Sequence, residues 1–235
     1  MGKILQIETA TEVCSVSIAS EGKVLETIET TKGRSHAAVL SVFIQDLFKK
    51  TGLSADDLDA ISVSMGPGSY TGVRIGVSTA KGLCYGAGLP LIAVPTLESM
   101  CYGMLKKLEA EKSSNHGDFL LVPMIDARRM EVYTAVFSQD MVLLRETAAL
   151  VAELSSFDDL LEKNKLIFFG DGADKLSDTI VHPNAIFMKD FKLSAAFMTT
   201  PSFSRFREKD FVDLAYFEPY YLKDFITTTP KKKLL

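Results

Sequence analysis

Residues 66–76 read GPGSYTGVRIG and directly follow an apolar run, Ala60–Met65. The apolar run predicts a buried strand, and the residues after it predict a helix from about Thr71 to Gly86. The glycines allow backbone N–H groups to approach a ligand without an intervening Cβ. Ser69 or Thr71 can cap the helix, whose N-terminus favours an anion. The stretch therefore predicts a strand–glycine–helix junction that can face a phosphate.

Related features occur in the same order in the second half of the chain. Ile4–Ile7 is an apolar strand tipped by Glu8, and Leu121–Ile125 is an apolar strand tipped by Asp126. Each leads through a turn into a strand of alternating apolar and polar residues. Residues 166–172 then repeat the strand–glycine–helix junction. The shared order predicts an α/β chain with an internally duplicated fold.

The two acid-tipped strands and the glycine-rich junction together predict a phosphate-facing cleft between the halves, which favours a nucleotide-binding ancestry. Threonine hydroxyls in the first turn can bind phosphate oxygens, and Glu8 can orient a metal-bound water. The alternative is that the glycines mark tight turns and that the acids end their strands as solvated caps. The candidate phosphate-facing residues are Glu8, Thr9, Thr11, Gly66, Gly68, Ser69, Thr71 and Asp126.

Two predicted helices carry unusual surfaces. The first, His36–Thr51 with Gly52 as its C-cap, is apolar over about half of its circumference. A helix on one sheet needs a stripe of only about 100°, so the excess indicates either burial inside its own domain or a second covering surface. In the glycine-rich helix, Gly72, Gly76 and Ala80 fall on one face. Interior glycines each cost about 0.5–1 kcal/mol relative to alanine, which favours close approach to another backbone, of this chain or of a partner.

Composition excludes several classes of protein. The 235 residues are 47% hydrophobic with a net charge of −4, so the chain can bury a core and is not disordered throughout. It has no run of about 18 apolar residues and thus no predicted membrane span, and it lacks the basic footprint of a protein that binds nucleic acid unaided. Its three cysteines and three histidines show no metal-ligand spacing. We therefore expect no metal site, assign no catalytic residue, and expect a reducing, cytoplasmic location.

A polar stretch over residues 111–118 predicts the seam between two domains. The first domain is predicted over residues 1–110, completed by residues 208–235. Residues 111–207 are predicted to form a smaller second domain. Thr96 is expected to cap a helix over residues 97–110.

The run Gly66–Gly76 resembles the TsaB (YeaZ) family, bacterial accessory subunits for the formation of threonylcarbamoyladenosine on tRNA. The resemblance spans the chain, is strongest over residues 1–102 and is thin over residues 140–210. Further matching segments are Ile7–Glu12, Thr96–Glu98, Ile125–Arg128 and Glu218–Leu222.

The resemblance implies a duplicated actin/Hsp70/sugar-kinase fold, which is ribonuclease H-like, with a shortened second domain. It implies a non-catalytic scaffold or activator that binds TsaD, the paralogue that transfers the threonylcarbamoyl group to adenosine beside the anticodon. An ATPase, TsaE, joins them. ATP and Mg²⁺ are used by the complex, this chain holds no cofactor firmly, and it meets tRNA only through the complex. TsaD carries an HxxxH metal pair, whereas the matching positions here are Thr96 and Met100, which are poor ligands for a hard metal.

The resemblance also implies that the first two helices contact TsaD, pairing with their counterparts as a four-helix bundle. The same face can form a homodimer when TsaD is absent. The residues assigned to this face by helix phase are His36, Leu40, Phe43, Leu47, Val73, Arg74 and Val77.

Two enzymatic functions are alternatives to the scaffold. One is a stand-alone ATP-binding phosphotransferase or ATPase that uses the cleft; Glu8, where the family usually has Asp, weakens this interpretation. The other is a peptidase, an older label of the superfamily, for which the chain supplies no zinc ligands.

Overall fold

The computed structural model describes residues 2–31, 35–111, 117–151, 153 and 155–223. Within these ranges, ten strands form two five-stranded sheets. The strands of the first sheet are β1 (Lys3–Glu8), β2 (Cys14–Ser20), β3 (Lys23–Thr30), β4 (Ala60–Ser64) and β5 (Leu91–Val94). Those of the second are β6 (Phe119–Asp126), β7 (Glu131–Ser138), β8 (Leu143–Val151), β9 (Lys165–Phe169) and β10 (Ala185–Met188). The α-helices in the described part of the chain are α1 (His36–Thr51), α2 (Tyr70–Ala87), α3 (Thr96–Ala110), α4 (Asp158–Leu161) and α5 (Thr199–Glu208).

Both sheets have the same connectivity, which confirms the predicted duplication. Their orders are β3-β2-β1-β4-β5 and β8-β7-β6-β9-β10. In each sheet, counting the strands along the chain, the second strand pairs antiparallel with the first and with the third. The fourth and fifth strands run parallel to the first. Gly66 follows β4 with a φ of 105° and Gly170 follows β9 with a φ of 103°, a conformation that L side chains rarely adopt. The topology is that of the duplicated actin/Hsp70/sugar-kinase fold.

The second unit is the smaller copy, as the family resemblance implies. In the first unit, α1 has 16 residues and α2 has 18. Their counterparts are the four-residue α4 and a three-residue turn of 3₁₀ helix, Asp174–Leu176. Because the long helices belong to the first unit, that unit carries the large helical surface of the chain.

Two helices pack across the predicted domain boundary at residue 110. Helix α3, predicted in the first domain, buries Met100 and Met104 in a cluster with strands of the second sheet. Helix α5, predicted in the second domain, buries Phe203 in a cluster with strands of the first sheet. Packing therefore moves the boundary to the start of α3 and returns α5 to the first unit. Arg205 of α5 and Glu98 of α3 then join the units through hydrogen bonds of 3.0 and 2.7 Å.

Helix α1 follows its prediction in both extent and capping. It ends at Gly52, whose φ of 68° closes the helix. Packing on the first sheet and beside α2 accounts for most of its broad apolar face. Its buried side chains are Val39, Leu40, Ile44 and Leu47. The exception is Val42, which is 49% exposed.

Helix α2 lies unusually close to the turn between β1 and β2. A Cβ added at Gly72 would overlap the carbonyl oxygen of Thr9, and one added at Gly76 would overlap the hydroxyl of Thr9. A Cβ at Gly68 would overlap the carbonyl oxygen of Ala10. The close approach predicted for the glycine face is therefore made to this chain's own backbone.

Replacing Gly72 with alanine should destabilise the fold, because the added methyl group forces α2 away from the β1–β2 turn. We expect a loss of about 1–3 kcal/mol in the free energy of unfolding, the usual cost of overpacking. The matched control is Gly82→Ala in the same helix, where an added Cβ meets nothing within 4 Å and should stabilise by about 0.5–1 kcal/mol. Urea unfolding followed by circular dichroism measures both, and equal effects would contradict the packing described.

Candidate functional site

Two cavities meet at the first turn of α2. The first, the interunit cleft, has a volume of about 560 Å³. It lies between the β1–β2 turn, residues 67–71, the end of β6, and residues 220–223. The second, the α1–α2 groove, has a volume of about 520 Å³ and opens on the surface of the first unit. Tyr70 and Thr71 line both.

The structure separates the predicted phosphate-facing residues into two groups. Five of them line the interunit cleft: Thr11, Gly68, Ser69, Thr71 and Asp126. Glu8, Thr9 and Gly66 are buried and do not line it, so the structure does not bring these three to the cleft surface. The reason is that the β1–β2 turn folds under α2, which places the end of β1 beneath the cleft.

Polar groups expected to bind phosphate are engaged by the chain itself. The Thr9 hydroxyl donates a hydrogen bond of 2.8 Å to the carbonyl oxygen of Gly72. The backbone N–H of Ser69 donates to the carbonyl oxygen of Ala10 at 2.6 Å. The Ser69 hydroxyl caps α2 by accepting a hydrogen bond from the N–H of Gly72. The glycine-rich junction therefore serves packing and capping more than ligand approach.

Glu8 is a fully buried carboxyl group at the end of β1. Its Oε1 accepts a hydrogen bond of 2.7 Å from the N–H of Ala10. Its Oε2 has no hydrogen-bond partner in the part of the chain that the structure describes. Burial raises the pKa of Glu8 to about 7, against the lowering effect of its hydrogen bonds. A carboxyl group in this environment is a poor support for a metal-bound water.

The interunit cleft is lined by acidic side chains, Asp126 and Asp171 among them, and by the basic side chains of Arg128 and Lys223. The Asp126 carboxylate accepts hydrogen bonds from Lys175 Nζ at 2.5 Å and from the N–H of Arg128 at 2.8 Å. The N–H of Asp126 donates to Asp171 at 3.0 Å. Burial, and then the charges of Asp126 and Glu12, raise the pKa of Asp171. The Asp126 carboxylate is therefore engaged by groups of the chain itself.

Thr96 and Met100, at the positions of the metal pair implied by the resemblance, are both buried. Thr96 was predicted to be the N-cap of α3, but it is the first residue of that helix, and Pro95 stands at the N-cap. The Thr96 hydroxyl lies 2.7 Å from the Ser64 hydroxyl and accepts a hydrogen bond from the N–H of Gly66. The residues present do not fit a metal, and the described ranges contain no group of three or more histidine, cysteine or acidic side chains that could hold one.

The predicted partner-contact residues also divide in the structure. Leu47, Val73 and Val77 are buried in the core of the first unit, and Leu40 is buried at the floor of the groove. Leu47, Val73 and Val77 lie on the apolar stripe with which each helix packs on its own sheet, whereas Leu40 also lines the groove. Phe43 is half-buried. His36 is half-buried, with its Nε2 2.8 Å from the carbonyl oxygen of Thr11.

Arg74 is exposed and lines the α1–α2 groove, as its assignment to a contact face requires. Sequence reasoning missed the other lining residues, most of which are small and weakly apolar. They recur at helical spacing, which is the signal that could have identified them. The missed lining residues are Ala37, Ser41, Tyr70, Ile75, Ser78 and Thr79.

Substituting Glu8 with glutamine should remove a pH dependence of stability. Because the pKa of Glu8 is about 7 in the folded chain and 4.5 ordinarily, the folded state binds more protons between these values. The free energy of unfolding therefore falls as the pH rises from about 4.5 to 7, by at most roughly 3 kcal/mol. Urea unfolding of the Glu8→Gln variant at pH 5 and pH 8 should lack this fall. Identical profiles for both proteins would contradict it.

Comparison with known proteins assigns the chain to a family. The family model described as "TsaD: tRNA N6-adenosine threonylcarbamoyltransferase" matches residues 23–216. The Escherichia coli "tRNA threonylcarbamoyladenosine biosynthesis protein TsaB" is 40% identical over 138 residues, 59% of this chain and 56% of that protein. The chain thus aligns with little more than half the length of the curated relatives it matches. A "tRNA N6-adenosine threonylcarbamoyltransferase" of Novosphingobium aromaticivorans is 48% identical over 65 residues, 28% of this chain and 19% of that protein.

A solved structure matches nearly the whole chain. The structure titled "YeaZ from Pseudomonas aeruginosa" superposes with a TM-score of 0.80 at 26% sequence identity, covering 94% of this chain and 100% of that one. No helix in the described ranges combines the length and apolarity needed to cross a bilayer. The family match, the relatives and the superposition agree with the duplicated sheets and the glycine-rich junction, and the chain belongs to the TsaB (YeaZ) family.

Proposed function

We propose that this chain is an accessory subunit in the biosynthesis of threonylcarbamoyladenosine on tRNA in the cytoplasm. In this proposal it binds the transferase TsaD through the α1–α2 groove and carries out no chemistry itself. The observation that carries the proposal is the groove: an open surface cavity of about 520 Å³ between the two longest helices, lined largely by small side chains.

Small residues at a helix surface allow another helix to approach closely, because interaxial distance depends on the side chains at the contact. Ala37, Ser41 and Ser78 are exposed along the groove. The match to the TsaD family model spans α1 and α2, so a TsaD chain is expected to carry an equivalent pair of helices. Two related pairs can then pack face to face, in the manner of a pseudo-twofold dimer. Without TsaD, a second copy of this chain can use the same face.

The interunit cleft supports the assignment of chemistry to other subunits. Thr9 and the N–H of Ser69, which could otherwise bind phosphate, are bonded within the chain. Asp126 lines the cleft but is already paired with Lys175. In the proposal, ATP and Mg²⁺ therefore serve TsaD and the ATPase TsaE, this chain holds neither firmly, and tRNA is contacted through the complex.

Substituting Ser78 with arginine should abolish the complex with TsaD while leaving the fold intact, because residue 78 is exposed in the groove. An arginine left unpaired in an interface costs about 3 kcal/mol or more, which weakens binding about 100-fold or more. Light scattering after size exclusion, with the TsaD of the same organism, gives stoichiometry, and calorimetry gives affinity.

The matched control for this experiment is Ser204→Arg on α5. Ser204 is also an exposed helical serine, and its hydroxyl bonds only to Glu208 in the same helix. The control should form the same one-to-one complex as the unaltered chain. If Ser78→Arg binds TsaD as tightly as the control does, the groove is not the docking face.

Titration of the isolated chain with Mg-ATP distinguishes the scaffold from the stand-alone phosphotransferase or ATPase. Since the Thr9 hydroxyl and the Ser69 N–H are bonded within the chain and the Asp126 carboxylate is paired with Lys175, we expect no calorimetric binding signal at micromolar protein concentration. If the chain binds Mg-ATP with micromolar affinity and Asp126→Asn changes that affinity, the result would contradict the scaffold function. It would support the phosphotransferase or ATPase, because Asp126 lines the cleft.

A further inference from the structure

The C-terminal part of the described chain, residues 220–223, crosses the interunit cleft and is named here the strap. We propose that the strap positions the first turn of α2 for docking, and that Tyr221 is the positioning residue. This inference rests on the proposed function, because it concerns the shape of the surface that would meet TsaD.

The segment leading to the strap is fixed along the first unit. The N–H of Val212 donates to the carbonyl oxygen of Leu91 at 3.0 Å. Lys81 of α2 donates to the carbonyl oxygens of Ala215 and Phe217 at 3.3 and 3.0 Å. The segment therefore follows the length of α2 before it reaches the cleft.

The strap is then held at the glycine-rich junction. The N–H of Tyr220 donates to the carbonyl oxygen of Met65 at 2.8 Å. The carbonyl oxygen of Tyr220 occupies the space that a side chain at Gly66 would need. Gly66 is thus required both for its φ of 105° and for the passage of the strap.

Tyr221 packs against Tyr70, which lines both the cleft and the groove. Its ring packs against that of Tyr70, with centroids 5.0 Å apart. The Arg74 guanidinium lies 4.9 Å from the Tyr70 centroid and donates to the Tyr70 hydroxyl at 2.9 Å. Since Tyr70 and Arg74 line the α1–α2 groove, Tyr221 supports the docking surface from the cleft side.

Arg74 lies one turn beyond the N-terminus of α2, and its guanidinium is held by Tyr70 of the first turn. The face of an aromatic ring attracts a guanidinium, and Tyr221 restricts the Tyr70 ring that provides this contact. Tyr221 therefore fixes where Arg74 presents its charge to a partner.

The strap ends on the second unit. Lys223 forms an ion pair with Glu131 at the start of β7. Its Nζ also lies 5.7 Å from the centroid of the Tyr133 ring. The strap thus links the docking surface to the second unit, although none of the described residues of that unit lines the groove.

The test is the affinity of three variants for the TsaD of the same organism, measured by calorimetry beside the unaltered chain. Tyr221→Ala removes the ring and should weaken binding about tenfold. Tyr221→Phe keeps the ring and should bind within about twofold of the unaltered chain. Tyr216→Ala is the matched control: it removes a tyrosine of the same segment that is 85% exposed and should bind unchanged. Urea unfolding of each variant separates loss of docking from loss of fold.

The outcomes separate this inference from the proposed function. Failure of the unaltered chain to bind TsaD would overturn the proposed function. If the unaltered chain binds TsaD and the Tyr221→Ala variant binds it equally tightly, only the positioning role is overturned. Equal weakening of the alanine and phenylalanine variants would also overturn it, because the ring contact could not then be the cause.

The link to the second unit has its own variant. Glu131→Gln removes the charge that pairs with Lys223 and touches no residue of the groove. We expect affinity for TsaD to fall about two- to fivefold. Affinity equal to that of the unaltered chain would overturn the bridging role of the strap.

Discussion

The close contact of α2 with the β1–β2 turn is the constraint on which the rest of the structure depends. Gly68, Gly72 and Gly76 have no side chains, and the space that a Cβ would need is occupied by atoms of Thr9 and Ala10. This contact sets the depth at which α2 lies on the first sheet. It consequently sets the width of the α1–α2 groove on one side and the shape of the interunit cleft on the other.

The same contact explains why a chain with the fold of sugar kinases is proposed to act as a scaffold. The Thr9 hydroxyl donates to Gly72 of α2, and the Ser69 N–H donates to Ala10 of the β1–β2 turn, so both groups join the turn to the helix and do not face a phosphate. Glu8 lies buried beneath them with a raised pKa. The cleft retains the place of a nucleotide site, whereas the open surface for a partner lies on α1 and α2.

Local patterns predicted the fold well because they are set by neighbouring residues. The ends of α1, the Gly52 cap and the paired strand–glycine junctions depend on periodicity and backbone freedom, which a sequence shows directly. The contact residues were harder to predict. Helix phase identified Val73 and Val77 as apolar, but an apolar stripe does not reveal whether it faces the chain's own sheet or a partner. Nor did any local pattern place Tyr221 on Tyr70, since the two are far apart in sequence.

In the proposed assembly, the chain meets its partner through α1 and α2 and not through the cleft. Hydrogen exchange of this chain, measured alone and with the TsaD of the same organism, distinguishes the two surfaces. Docking on α1 and α2 slows exchange in these helices, with little change in β6 and β7 at the cleft. Protection confined to β6, β7 and the β1–β2 turn, with α1 and α2 unchanged, would contradict it.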